Sequence, residues 1–128
     1  MIIRGLKLAT IFLIDDDSSI ITLFEKFLTI KGHEIVAKAY NGEEAVKLFH
    51  KFRNIPDLIL MDNRMPKKDG LTAAREILEF NSDIKIIFFS ADYSIKDKAL
   101  ALGAKYFLEK PFKLDKLSQI IEKTIMEN

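Results

Sequence analysis

The chain alternates short runs of consecutive apolar residues with longer stretches in which apolar residues recur every three or four positions. No other feature of it narrows the fold as sharply. The short runs are Ile11-Phe12-Leu13-Ile14, Ile35-Val36-Ala37, Leu58-Ile59-Leu60-Met61, Ile86-Ile87-Phe88-Phe89 and Tyr106-Phe107-Leu108. Most are unbroken rather than alternating, the pattern of strands covered on both faces, as in a parallel sheet. Ile20, Leu23, Phe24, Phe27 and Leu28 then keep helical spacing, and Gly32 supplies a stop. Ala45, Leu48, Phe49 and Phe52 do the same behind Asn41, a candidate N-cap, with Glu43 and Glu44 in the first turn. Ala74, Ile77 and Leu78 mark a third helix, and Ile95, Ala99 and Leu102 a fourth that Gly103 closes. Leu117, Ile120, Ile121 and Ile125 mark the last. Strands alternating in this way with helices predict a doubly wound α/β sandwich with right-handed crossovers.

A length of 128 residues predicts one domain, 1–128, large enough to bury a core without staples. Composition limits what it can do. There is no cysteine, which excludes disulfides, thiolate metal sites and a cysteine nucleophile. A net charge of +1 offers no broad basic footprint, so no direct nucleic-acid contact is expected. The opening MIIRGLKLATIFLI faintly resembles a secretion signal, but Lys7 interrupts it and the apolar run ends in three aspartates, not at a small-residue cleavage site. No stretch approaches the ~20 apolar residues of a membrane span. A soluble, cytoplasmic domain is the expectation.

Folds of this class bind ligands beyond the carboxyl ends of their strands. The first strand ends in Asp15-Asp16-Asp17, the third in Asp62 and the fourth in Ser90, while the fifth leads through Glu109 to Lys110-Pro111. Ala39-Tyr40, after the second, offers nothing reactive. Clustered carboxylates call for a hard cation, Mg²⁺ or Mn²⁺. A carboxylate beside such an ion can act as a nucleophile toward phosphorus. A lysine and a hydroxyl would then neutralise and hydrogen-bond the phosphoryl oxygens.

In order and spacing, LIDDDSS, PDLILMDNRMPKKDG, FFSA and EKPF resemble the receiver domains of two-component response regulators. The single-domain, CheY-like members are nearest in length. The resemblance covers residues 9–126, and its strongest element is D-x-x-M-P-x-x-D-G at Asp62 to Gly70. It implies a flavodoxin-like five-stranded parallel sheet of order 2-1-3-4-5 with five helices. Asp62 would be the phosphoryl acceptor. Asp16 would bind Mg²⁺ directly, Asp15 mainly through water, and the backbone carbonyl of Arg64 would complete the protein ligands, with Mn²⁺ able to substitute. Ser90 would hydrogen-bond the phosphoryl group, and Lys110, ahead of a cis Lys110-Pro111 peptide, would pair with it. Phe107 occupies the family's aromatic switch position, although a buried core aromatic reads equally well there.

The resemblance further implies a sensor histidine kinase or phosphotransfer protein as donor and a downstream protein as target. The chain would be a monomer or weak dimer, and a switch rather than a turnover enzyme. A chemotaxis role, a phosphorelay step and a receiver excised from a longer protein all stay open. Arg64 and Asp92 flank the expected phosphoryl position, where an ion pair across the mouth would slow attacking water.

Bland readings hold elsewhere. Asp17 with Ser18 is expected to cap the first helix, and Asp69-Gly70 to turn into the third. His33 and His50 read as surface residues; Lys47, Lys51, Arg53 and Lys67-Lys68 read as solvated faces. A rival class also fits Asp15-x-Asp17, the haloacid-dehalogenase-like phosphatases, with Asp15 as nucleophile and Asp17 as acid/base. That reading leaves Asp62 and its motif unexplained.

Overall fold

The computed structural model describes residues 8–127 in full and the backbone of residues 2–3 and 6–7. Strands β1 (Thr10–Ile14), β2 (Glu34–Ala39), β3 (Leu58–Asp62), β4 (Lys85–Ser90) and β5 (Tyr106–Glu109) form one sheet. Its order is β2-β1-β3-β4-β5 with every neighbour parallel, the 2-1-3-4-5 arrangement expected. Between the strands run α1 (Ser18–Ile30), α2 (Gly42–Lys51), α3 (Gly70–Phe80) and α4 (Lys96–Leu102), and α5 (Leu114–Met126) follows the last. A short antiparallel ladder joins Ile2–Ile3 to Leu6–Lys7 ahead of the sheet. Among the described residues, no helix is long and apolar enough to cross a membrane.

The unbroken apolar runs are explained by two cores. Alternate strand residues point to opposite faces, so Phe12, Ile14, Ile59, Met61, Ile86 and Phe88 pack with residues of α2, α3 and α4. Ile11, Leu13, Leu58, Leu60, Ile87 and Phe89 pack with α1 and α5. The register levels the carboxyl ends: Ile14 lies beside both Ala39 and Met61, Asp62 beside Phe89, and Ser90 beside Glu109. One edge therefore collects whatever the strands end in.

Local chemistry ends the helices. Asp17 caps α1, accepting from the Ser19 amide at 2.9 Å and the Ser19 hydroxyl at 2.5 Å. Ser18 does not share that task as expected; it lies in the first turn, where its carbonyl accepts from the Thr22 hydroxyl. Asn41 caps α2 through the Glu44 amide, and Glu44 returns its carboxylate to the Tyr40 amide. Asp69, read from the sequence as part of a turn into α3, caps that helix through the Thr72 amide at 2.8 Å. Gly32 and Gly103 close α1 and α4 in the left-handed region, at φ 99° and 120°, where a Cβ would be strained. A single 3₁₀ turn, Tyr93–Ile95, precedes α4.

Three sequence expectations are corrected here. The buried face of α1 is Ile21, Phe24 and Leu28, with Ile20 and Phe27 at its margins and Leu23 turned out to solvent at 46% exposure. His33 is buried at 5% exposure, not a surface residue, and its Nδ1 accepts from the Ala9 amide at 3.1 Å. His50 is exposed and meets the Phe80 ring edge-on. Of the cationic residues expected to be solvated, Lys68 is half-buried and paired with Glu76 at 2.5 Å.

Candidate functional site

The levelled strand ends bring three carboxylates together. Asp15 leaves β1 with its amide bonded to the Ala39 carbonyl, and its Oδ1 accepts from the Asp17 amide at 2.9 Å. Its Oδ2 is buried without a hydrogen-bond partner. Asp62 closes β3 and is 5% exposed, whereas Asp16 stands out to solvent. One carboxylate oxygen from each of Asp15, Asp16 and Asp62 lies within 4.8 Å of the other two.

A cation already faces them. The Lys110 amide is tied to the Ser90 carbonyl at 2.8 Å, which brings the lysine to the end of β4. Its Nζ sits 3.3 Å from Asp62 Oδ1 and 3.7 Å from Asp15 Oδ2, over the Phe89 ring at 5.1 Å from the centroid. The Lys110-Pro111 peptide is cis, as anticipated. Ser90 is buried, and its Oγ accepts from the Asp92 amide at 3.0 Å, leaving the hydroxyl proton free to be donated. The cleft between these groups measures about 490 Å³, with Arg64, Ala91 and Asp92 on its rim.

Burial dominates the electrostatics. The Asp15 carboxyl is pushed up to about 7 chiefly by loss of solvent, with the Asp17 amide opposing and Asp62 adding repulsion. Asp62 is also raised by burial, and Lys110 works against the shift. A single ammonium does not compensate this cluster. An Asp15 Oδ2 that is buried without a hydrogen bond and three converging hard oxygens fit a divalent cation, with room for its waters in an open cleft.

Every site residue that the sequence singled out at a strand end lies at this edge. The ion pair expected between Arg64 and Asp92 does not form. Asp92 instead caps the 3₁₀ turn, accepting from the Ser94 amide at 3.0 Å and the Ser94 hydroxyl at 2.5 Å. Those bonds, more than Arg64, hold its carboxyl below the ordinary range. Phe107 is half-buried at the margin of one core, with Tyr93 edge-on against it at 6.0 Å.

One residue essential to the geometry went unremarked as such. A Cβ on Gly70 would stand 2.2 Å from the Asp62 carbonyl oxygen, so only glycine lets α3 start this close to the end of β3. The Asp-Gly dipeptide signalled a turn; the close approach is a tertiary distance with no local signature.

Fold and cleft together define a flavodoxin-like α/β protein whose carboxyl edge is built for a cation and an anion. Residues 11–122 match the response regulator receiver domain family. The chemotaxis protein CheY of Bacillus subtilis is 39% identical over 116 residues, covering 88% of this chain and 95% of that one. The chain therefore belongs to the response regulator receiver domain family. Among solved structures it resembles a CheX-CheY-BeF3-Mg²⁺ complex from Borrelia burgdorferi, with a TM-score of 0.86 and 29% identity over 96% of this chain and 92% of that one. It also resembles the response regulator TrrA of Thermotoga maritima in complex with Mg²⁺-BeF, with a TM-score of 0.81 and 34% identity over 90% of this chain and 97% of that one.

Proposed function

We propose that Asp62 accepts a phosphoryl group from a phosphohistidine of a sensor kinase or phosphotransfer protein, and that the resulting aspartyl phosphate changes which protein the domain binds. The observation that carries this is the convergence on Asp62 of two further carboxylates and the Lys110 ammonium. Mg²⁺ would be held by Asp15, Asp16, Asp62 and the Arg64 carbonyl, with Mn²⁺ an acceptable substitute. When bound, the cation supplies charge neutralisation for the transferring oxygens. The complexes of two relatives with Mg²⁺ and a beryllium fluoride support this, since that anion has the shape and charge of a phosphoryl group.

The residues divide the chemistry. An Asp62 oxygen attacks phosphorus, the phosphorus–nitrogen bond of the donor breaks, and its electron pair stays on the imidazole. Lys110 pairs with a phosphoryl oxygen, moving from a carboxylate partner to an anionic one without leaving its seat on Phe89. Ser90 donates its free hydroxyl proton to another. Return to the resting state is attack of water on the same phosphorus, with the Asp62 oxygen leaving; Arg64 at the mouth slows that water. The domain acts as a switch and not as a turnover enzyme. Phe107, in contact with Tyr93, passes the change toward α4, β5 and α5. The downstream partner is a protein, the domain works in the cytoplasm, and it is a monomer or weak dimer.

Acetyl phosphate and Mg²⁺ test this directly. The wild type should gain one phosphoryl group, measured as intact mass, and Asp62→Asn should gain none. Labelling of Asp62→Asn at the wild-type rate, or steady turnover that survives the substitution, would sink the assignment and revive a phosphatase built on Asp15. Asp17 argues against that rival, because its carboxylate is committed to the α1 cap.

A further inference from the structure

We infer that Gly42, which lies on α2 outside the cleft, is a positioning residue for the cation site, because its missing side chain lets the loop after Asp62 close onto the helix. The inference rests on reading the acidic edge as a Mg²⁺ site. A Cβ on Gly42 would stand 2.1 Å from the Lys68 carbonyl oxygen, 2.7 Å from the carbonyl carbon and 2.9 Å from the Lys68 Cβ. The Gly42 amide donates to that same oxygen at 3.0 Å. Helix and loop are in backbone contact, and any side chain would force them more than an ångström apart before ordinary contact at 3.4 Å is regained.

The loop is the side that yields. Helix α2 is anchored by Ala45 and Phe49, both fully buried, and its first turn is locked by the Asn41 and Glu44 hydrogen bonds. The loop is held at its ends and, between them, by Met65, buried at 9% exposure, and the Lys68–Glu76 pair. The backbone of residues 64–67, however, makes no hydrogen bond to another element among the described residues. The Gly70 amide bonds to the Asn63 carbonyl at 2.8 Å, and Gly70 packs flush on the Asp62 carbonyl. Between these pins Pro66 and Lys67 are exposed, and Lys67 already sits in the left-handed region at φ 67°. A push at Lys68 is therefore taken up by residues 64–67. That stretch includes the Arg64 carbonyl, one of the proposed ligands. Backbone groups behind a ligand set its aim as surely as side chains do. The sign is distinctive, because replacing glycine by alanine at a helix start ordinarily helps the helix.

Isothermal titration with Mg²⁺ on wild type, Gly42→Ala and Gly103→Ala tests the inference. Gly103 is strained by any Cβ, at φ 120°, and lies at the opposite end of the sheet, so it reports the effect of lost stability alone. Gly42→Ala should raise the Mg²⁺ dissociation constant at least about tenfold, the usual cost of losing a ligand's support, while Gly103→Ala stays at the wild-type value. Wild-type affinity in Gly42→Ala, or equal weakening in Gly103→Ala, overturns the inference. A wild type that binds no Mg²⁺ overturns the cation reading beneath it. If Gly42→Ala folds only with a stabilising osmolyte, all three are compared in it; a chain still unfolded there also overturns the inference, because the contact would then hold the fold and not the site.

Discussion

His33 shows how much one buried side chain can do that no pattern announces. It follows Gly32 at the turn from α1 to β2, and its Nδ1 must be unprotonated to accept from the Ala9 amide, which places the ring proton on Nε2. Burial holds its pKa below the ordinary imidazole value, with Glu122 opposing. A depressed folded-state value means that the unfolded chain binds the extra proton first. Stability is therefore intact above the ordinary imidazole pKa and is lost as pH falls below it, with a limiting slope of about 1.4 kcal/mol per pH unit. His33→Asn, whose Oδ1 can take the same amide without titrating, should remove that slope. Urea midpoints across mildly acidic pH, compared between the two proteins, check this. The same scale explains the failed Arg64–Asp92 pair. Ser94, two residues along the chain, satisfies Asp92 locally, and a long exposed arginine gains too little from an ion pair to compete.

Among the elements, those with a local cause were legible and those with a tertiary cause were not. The three central strands were legible because each lies between two cores and is almost wholly apolar, and the edge strands β2 and β5 because each keeps a short apolar run. The caps at Asp17 and Asn41 were legible because a short polar side chain ahead of a periodic stretch has one obvious use. In α1 apolar residues outnumber the positions on any one face, so periodicity did not choose between Ile21 and Leu23; the sheet and α5 did. The tight approaches at Gly42 and Gly70 involve segments far apart in sequence, and a glycine gives no hint of what will press on it. The caps make a prediction at this scale. Asp69→Ala leaves the Thr72 amide unpaired and should cost about 1 kcal/mol in urea unfolding. Because Asp69 adjoins Gly70, the loss should also speed amide exchange in the first turn of α3 more than in α5.

For the molecule as a whole, the acidic edge is a source of instability that a ligand can remove. Asp15 and Asp62 are held at raised pKa values by burial, and folding keeps them close while unfolding lets them part. A cation bound only by the folded chain adds RT ln(1 + [L]/Kd), about 2.7 kcal/mol at a hundredfold excess over Kd. Saturating Mg²⁺ should accordingly raise the thermal midpoint, and a chelator should reverse the gain. Asp16→Asn should abolish the shift without harming the fold, since Asp16 is exposed. A shift that persists in Asp16→Asn would place the ion elsewhere. The family resemblance was readable from the strand-end residues, because a parallel sheet forces distant ends to meet.

The same alignment has a consequence for how such a chain can change over generations. β1 spans five residues, about 17 Å at the usual rise per residue, and it separates the acidic cleft from the end that holds His33 and Ala9. At that separation substitutions combine additively. Lineages can retune heat or acid tolerance at one pole while the other keeps its reactivity, so adaptation to habitat and retention of signalling need not trade against each other.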